Sequence, residues 1–473
     1  MQLILRWCFV LTYLFTSAAQ AGLSVSLQEA LSKAQIPADN VAIVVQPVDG
    51  GPALISHNAA KAMNPASVMK VVTTYAALEA LTPAYRWKTE VYKNGSVNQG
   101  VLEGDLVLKG YGDPSLNVAE FWRLLQQIQQ QGIRQIKGNL ILDTSAYKPE
   151  VSQRAVLDDE PWRAYNANPS ALLINGRHTS FRFGVAKEGT KPVANVTQEF
   201  ELPQIKVVNL IQVRSGACGD WRSELRYAVA PTAEGATVTF SGTLPDQCDE
   251  RYLELSVLSD TQYTLFTFKK IWTQLGGKFA GQVVTNTPAI NDDLVTTWWS
   301  APLEIVIRDI NKWSNNVMAR QMMLTMGLEA GLTPVDESTA AFALRDTLRK
   351  RGLSFPELVL ENGSGLSRNE RISAEHLTQL LVTAYQRPGM PVLMASLPIL
   401  GLDGTLKKRL SESPSQGMAY LKTGSLEGVS SIAGYVQDIQ GKRYALVMLV
   451  NHPRASLSRP VQDGLIKAII EGR

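Results

Sequence analysis

The sequence predicts an α/β fold: an antiparallel sheet flanked by helices, interrupted by a long β-rich insertion of one or two small domains. Three observations lead there. The two ends of the chain carry matching strand-like and helix-like segments, which suggests one layered domain built from both termini. Between them, from Trp87 to Asn286, short strand patterns are broken by Gly, Pro and Asn turns. The composition, 45% hydrophobic and 19% charged over 473 residues, is that of a packed globular chain.

The elements follow in order. "MQLILRWCFVLTYLFTSAAQA" has Arg6, an apolar run from Trp7 to Phe15, and Ala19-Gln20-Ala21 as an A-x-A cleavage pattern. Residues 1–21 therefore read as a signal peptide. The alternative is a membrane anchor, but the apolar core is shorter than the ~20 residues a spanning helix needs. No later segment is long and apolar enough to span. An exported, soluble mature chain without a transmembrane segment is expected. A net charge of +3 offers no reason to propose nucleic-acid binding.

A short helix, "SVSLQEALSKAQ", comes next. "VAIVVQPVDGGPALISHN" reads as two strands joined at Asp49-Gly50-Gly51. In "NPASVMKVVTTYAALEAL" the residues Val68, Val71, Val72, Tyr75, Leu78 and Leu81 recur at helical spacing, and Pro83 ends the run. Residues 22–86 and 287–473 are expected to form the main domain and 87–286 the insertion. One helix, "VAEFWRLLQQIQQQG", interrupts the inserted strands. Near the C-terminus, "GMAYLKTGS", "SSIAGYVQD" and "YALVMLVNH" are strand-like, and "SRPVQDGLIKAIIEG" is a closing helix.

Cys8 falls in the signal segment, which leaves Cys218 and Cys248. In an oxidising compartment an even number favours a disulfide. It would close a loop of about 30 residues, worth roughly 3–4 kcal/mol. The alternative is two separate buried thiols. With one cysteine pair and no histidine nearby, no metal site is expected, and no cofactor is implied.

The familiar catalytic patterns are missing. The histidines (His57, His178, His376, His452) are scattered, and there is no H-E-x-x-H, G-x-S-x-G or P-loop. A lysine-based constellation remains. Ser67-Val68-Met69-Lys70 opens a helix, Ser314-Asn315-Asn316 links two helical stretches, and Lys422-Thr423-Gly424 lies on a strand. S-x-x-K and S-x-N recur elsewhere, as in Ser145-Ala146-Tyr147-Lys148 and Ser367-Arg368-Asn369, but K-T-G occurs once.

The chemistry requires these residue types. A serine hydroxyl is a weak nucleophile until a base takes its proton. Ser67 and Lys70, three apart, share a helix face. Lys70 is a base only when neutral, and burial beside a second ammonium, Lys422, lowers its pKa. Ser314 can relay a proton, and Asn316 can hold a substrate amide. The strand edge at Lys422–Ser425 can pair with a peptide as an added strand. Lys422, Thr423 and Ser425 can bind a terminal carboxylate. The backbone N–H groups of Ser67 and Ser425 would form an oxyanion hole.

S-x-x-K with S-D-N and K-T-G is the signature of class A β-lactamases and penicillin-binding proteins. At these residues the chain resembles the low-molecular-weight class C penicillin-binding proteins, the D-alanyl-D-alanine carboxypeptidase/endopeptidases. The long insertion, "GYGDPSL" at Gly110–Leu116 and "ENGSGLSR" at Glu361–Arg368 carry the same resemblance. It implies a β-lactamase/transpeptidase-like domain, cleavage of D-Ala-D-Ala or D-Ala-diaminopimelate bonds in peptidoglycan, acylation by β-lactams, and a periplasmic location. The export signal alone would equally allow secretion. It further implies that Arg368 contacts substrate and that Leu426 and Glu427 line the pocket. "LDDEPWRAY" resembles the segment that binds the free amino end of the stem peptide, with Asp158 or Asp159 as carboxylate and Tyr165 as aromatic wall. Asn315 stands where the family motif has aspartate; the outer two residues carry the chemistry.

Two rival readings compete with this one. A serine β-lactamase needs a water activator, and "DDEPW" offers Glu160-Pro161. The asparagine that a class A loop places four residues after its glutamate is here Ala164. A non-catalytic sensor would not need Ser67, Lys70, Ser314, Asn316 and Lys422 intact.

Overall fold

The computed structural model describes residues 23–152, 157–285 and 292–472; the expected signal segment lies outside them. The main sheet has five strands in the order Ile55–His57, Val41–Pro47, Arg443–Asn451, Val429–Gln437 and Ala419–Leu426. Every neighbouring pair is antiparallel. N-terminal and C-terminal strands thus share one sheet, as the mirrored ends predict.

Side-chain alternation explains why these strands are so apolar. Ala42, Val44, Ala433, Tyr435, Val447 and Leu449 face a core shared with the helices Met69–Leu81, Leu303–Trp313, Asn316–Glu329 and Ala374–Tyr385. Ile43, Val45, Ile432, Met448 and Val450 face a second core with the helices Val25–Lys33 and Arg459–Ile470. A strand covered by helices on both faces cannot alternate apolar with polar, so "YALVMLVNH" reads as a continuous run. The helix Met69–Leu81 has buried residues on every side, as a central element must.

Among the described residues four sheets lie between 88 and 299, two of them of three strands: Lys191–Gln198, Thr179–Glu188 and Arg251–Leu255, and Ile205–Arg214, Gly235–Pro245 and Leu225–Thr232. A five-stranded sheet orders Val283–Thr285, Leu140–Asp143, Asp105–Gly110, Lys88–Asn94 and Asp293–Trp299. The entering strand Lys88–Asn94 and the leaving strand Asp293–Trp299 zip together antiparallel, so the insertion's sheet extends to Trp299. The two crossings are tied just outside it, where Trp87 N–H donates to Ser300 Oγ at 2.9 Å.

The insertion also holds a second long helix, Asp260–Gln274, where one was expected. Its Tyr263, Thr264, Phe266, Thr267 and Phe268 are strand-favouring types, which masked it. The available signal was the capping box of Ser259 with Gln262, present in the structure. Cys218 and Cys248 are joined as a disulfide.

Candidate active site

Ser67 lies on a 3-10 turn, Ala66–Val68, that runs directly into the helix Met69–Leu81. The helix proper begins two residues later than the sequence suggests. The i,i+3 relation survives, because residues three apart are eclipsed in a 3-10 turn. Asn64 shapes this turn: its Oδ1 accepts Ala66 N–H at 2.8 Å and its Nδ2 donates to Ser367 O at 2.9 Å.

Lys70 is completely buried. Its Nζ lies 3.1 Å from Ser67 Oγ, 2.6 Å from Asn316 Oδ1 and 2.5 Å from Ser364 O. Burial lowers its pKa well below the ordinary value, and Lys422 lowers it further, against a smaller opposite pull from Glu370. A neutral amine has two N–H donors and one lone pair. If two donors go to Asn316 and Ser364, a neutral Lys70 has its lone pair left for Ser67 Oγ.

Ser314 and Asn316 flank the junction of the helices Leu303–Trp313 and Asn316–Glu329. Ser314 ends the first helix with φ 58°, a left-handed conformation rare for a non-glycine residue. Asn315 caps the second helix by accepting Met318 N–H at 3.0 Å. This explains the middle letter of S-N-N: it builds the turn, while its neighbours face the site.

Lys422 is also completely buried. Its Nζ donates to Ser314 Oγ at 2.8 Å and to Thr423 O at 2.7 Å. Burial pushes its pKa down to about 7. Its strand, Ala419–Leu426, is the last in the main sheet and pairs through its length only with Val429–Gln437. The opposite edge near the site faces the cleft. Gly424 permits the close approach of this strand to Ser67: a Cβ there would lie 2.6 Å from Pro65 O and 2.9 Å from Ser67 N. Thr423 Oγ1 is 2.9 Å from Thr405 Oγ1.

These groups line or back a cleft of about 1380 Å³. Its volume exceeds the roughly 300–1,000 Å³ of a small-molecule pocket. Ser67, Ser314, Asn316, Ser425, Leu426, Glu427 and Arg368 are among its lining residues. Arg368 reaches across to Glu427, donating to its carbonyl at 2.7 Å and its carboxylate at 3.1 Å. The insertion contributes Asp158, Asp159 and Tyr165.

The two aspartates differ. Asp158 accepts hydrogen bonds from Tyr165 Oη (2.8 Å), Asn166 Nδ2 (2.8 Å) and the Glu160 N–H (3.1 Å). Its partial burial acts to raise its pKa, and these hydrogen bonds outweigh that and hold it below the ordinary value. Asp159 is exposed on the cleft wall.

Sequence reasoning missed several participants. Ser364 acts through its carbonyl, which no side-chain motif reveals. Thr405 and Glu370 lie outside the motifs, Glu370 by only two residues. Gly365 lies within "ENGSGLSR" but has no side chain from which to read a role; a Cβ there would lie 2.7 Å from Ser67 N, so glycine lets this loop abut the serine. Among the described residues no cluster of metal-binding side chains occurs.

Comparison with known proteins places the chain in a family. The chain is 26% identical over 448 residues to the D-alanyl-D-alanine carboxypeptidase DacB of Haemophilus influenzae, covering 94% of this chain and 91% of that one. Its fold matches the crystal structure of penicillin binding protein 4 (dacB) from H. influenzae, with a TM-score of 0.76, 24% identity, and coverage of 94% and 100%. A structure of that protein complexed with a novel β-lactam matches with a TM-score of 0.72, 23% identity and the same coverage. The model of the D-Ala-D-Ala carboxypeptidase 3 (S13) family matches residues 23–469, and the chain belongs to that family.

Proposed function

We propose that this protein is an exported serine D-Ala-D-Ala carboxypeptidase, with D,D-endopeptidase activity, acting on peptidoglycan stem peptides and cross-links. The observation that carries the reading is the buried Lys70 Nζ at 3.1 Å from Ser67 Oγ, with its two N–H donors already engaged by Asn316 and Ser364.

In this mechanism Lys70 takes the Ser67 hydroxyl proton as Oγ attacks the carbonyl of the penultimate D-Ala. The tetrahedral oxyanion is held by the N–H groups of Ser67 and Ser425. As the C–N bond breaks, the proton taken by Lys70 is given up to the leaving amine, with Ser314, which Lys422 contacts, as the relay, and Lys70 is neutral again. Water then attacks the Ser67 ester as Lys70 takes its proton, Lys70 returns that proton to Ser67 Oγ as it leaves, and the stem peptide departs with a new carboxylate. Thr423, Ser425 and Lys422 recognise the terminal carboxylate, and Asn316 the substrate amide. β-Lactams acylate Ser67 by the same attack. A cross-link differs only in the group beyond the scissile bond, and an open cleft admits it.

Arg368, Leu426, Glu427 and Tyr165 form the wall around the substrate side chain, with Asp159 as the carboxylate for its free amine. Residues 24–86 and 300–472 act as the catalytic domain in this reading, and the segment between them as the insertion. The protein works in the periplasm, and cell fractionation tests that location.

Labelling with a fluorescent penicillin tests the reading. One labelled band, lost in Ser67→Ala, is expected, with D-Ala released from a pentapeptide and cross-linked muropeptides cleaved. Well-folded protein that takes no label would refute it.

A further inference from the structure

A carboxylate that the mechanism leaves unused lies beside the base. Glu370 is completely buried, two residues after Arg368. Its Oε1 accepts the backbone N–H groups of Glu361 (3.1 Å), Asn362 (3.0 Å) and Gly363 (2.9 Å). Its Oε2 is buried without a hydrogen-bond partner among the described residues. Successive amides converging on one oxygen make an anion-binding nest, and this nest shapes the turn that precedes Ser364.

The Lys70 helix holds the same turn from its other side. Thr73 Oγ1 donates to Gly363 O at 2.6 Å, and Lys70 Nζ contacts Ser364 O at 2.5 Å. Gly363 has φ +70°, and a Cβ there would lie 2.9 Å from both Met323 Sδ and Thr73 Oγ1. The turn is therefore clamped, with Glu370 on one side and the catalytic helix on the other.

The charges form a matching set. Lys70 feels Lys422, from the strand Ala419–Leu426, and Glu370, from this loop, and the two act in opposite directions. Burial raises the Glu370 pKa above its ordinary value, against the three backbone N–H groups and Lys70, which pull it down. Taking the serine proton creates an ammonium at Lys70, in a dry site that already holds Lys422. An ionised Glu370 carboxylate stabilises that developing charge.

We propose that Glu370 is a positioning residue for Lys70: it holds the Ser364 carbonyl against Nζ and supplies the negative charge that offsets Lys422. This rests on Lys70 being the base for Ser67. Nothing in the sequence marks the residue, since it stands alone in a loop and belongs to none of the motifs.

The test is the pH profile of the acylation rate constant, measured with a fluorescent penicillin for wild type, Glu370→Gln and Glu370→Asp. Glu370→Gln keeps an oxygen for the three amides and removes the charge. Its acid limb should move to lower pH by about one unit or more, because Lys70 loses its proton more easily. Its plateau should fall, because the ammonium is less stabilised. Glu370→Asp keeps the charge, so its limb should stay near wild type while the shorter reach lowers the plateau. An unmoved limb in Glu370→Gln overturns the proposal, even with a lower plateau, since a merely structural role would give that result. If Glu370→Gln does not fold, a displaced limb in Glu370→Asp overturns it and a retained limb supports it. A wild-type protein that takes no label removes the Ser67 reading itself, a result distinct from any of these.

Discussion

Lys422 Nζ donates to Ser314 Oγ over 2.8 Å, linking the edge strand of the sheet to a left-handed residue between two helices. The contact makes Ser314 the point where a proton can cross between the lysine and a leaving group. Ser314→Ala should lower the penicillin acylation rate by about 10²-fold or more, with the thermal midpoint little changed. Stopped-flow acylation alongside a melting curve checks both. Acylation at the wild-type rate would remove Ser314 from the proton path.

Lys70→Ala should abolish acylation, a loss of about 10²–10⁴-fold, while the protein still folds. Removing a buried group whose charged form is disfavoured relieves a cost, which offsets the packing lost with the aliphatic stem. Mass spectrometry of the penicilloyl adduct and circular dichroism of the same sample decide it. A variant that acylates normally shows that Lys70 is not the base.

Stability should rise with pH above neutrality. Lys422 has its pKa pushed down to about 7 in the folded state, against ~10.4 when unfolded. Between those values the unfolded chain binds more protons, so unfolding becomes harder as pH rises. Below about 7 both states are protonated, and this dependence vanishes. One such group contributes at most about 1.4 kcal/mol per pH unit, and Lys70, also shifted down, acts in the same direction. Urea unfolding at pH 7, 8 and 9 should show the rise, and Lys422→Met should flatten it. Equal slopes in both proteins would contradict the lowered pKa of the buried Lys422.

Gly424→Ala should impair both fold and acylation. A Cβ at this position would come 2.6 Å from Pro65 O and 2.9 Å from Ser67 N. Those are backbone atoms in the nucleophile's own turn, so the strand must move away from Ser67. Overpacking of this kind costs about 1–3 kcal/mol, and the displaced strand opens the oxyanion hole. Acylation reduced by less than the experimental error would show that the turn yields without harm.

The two aspartates of the insertion should separate by their effects. Asp159→Asn should raise KM for stem peptides with a free side-chain amine and leave penicillin acylation unchanged. Asp158→Asn should instead loosen the segment around Tyr165 and Asn166, whose side chains it binds at 2.8 Å. Peptide kinetics with amidated and free-amine substrates distinguish them. A KM effect confined to Asp158→Asn would reverse the assignment.

Much of the site is legible in the sequence because its chemistry sits on side chains at short spacings. Ser67 and Lys70 meet through local geometry alone, and Cys218 with Cys248 follow from counting. The aspartates were readable only as a pair, since their difference is a matter of which one the loop's own hydrogen bonds consume. Asp260–Gln274 escaped because its aromatic and β-branched residues pointed toward a strand, and only its capping box pointed the other way.

By itself the sequence determined the main sheet's contributors and singled out five polar residues, Ser67, Lys70, Ser314, Asn316 and Lys422, that the fold links by hydrogen bonds. Local spacing and hydrophobic patterning carry that information, and both survive without knowing what packs where. Only the tertiary structure decided how the Lys70 pKa is lowered. That depends on burial first, and on Lys422 and Glu370 pulling in opposite directions, while the carbonyl of Ser364, 294 residues away, holds the amine at 2.5 Å. Electrostatics in a dry interior depends on distances and solvent exclusion, and these exist only once distant segments have packed together.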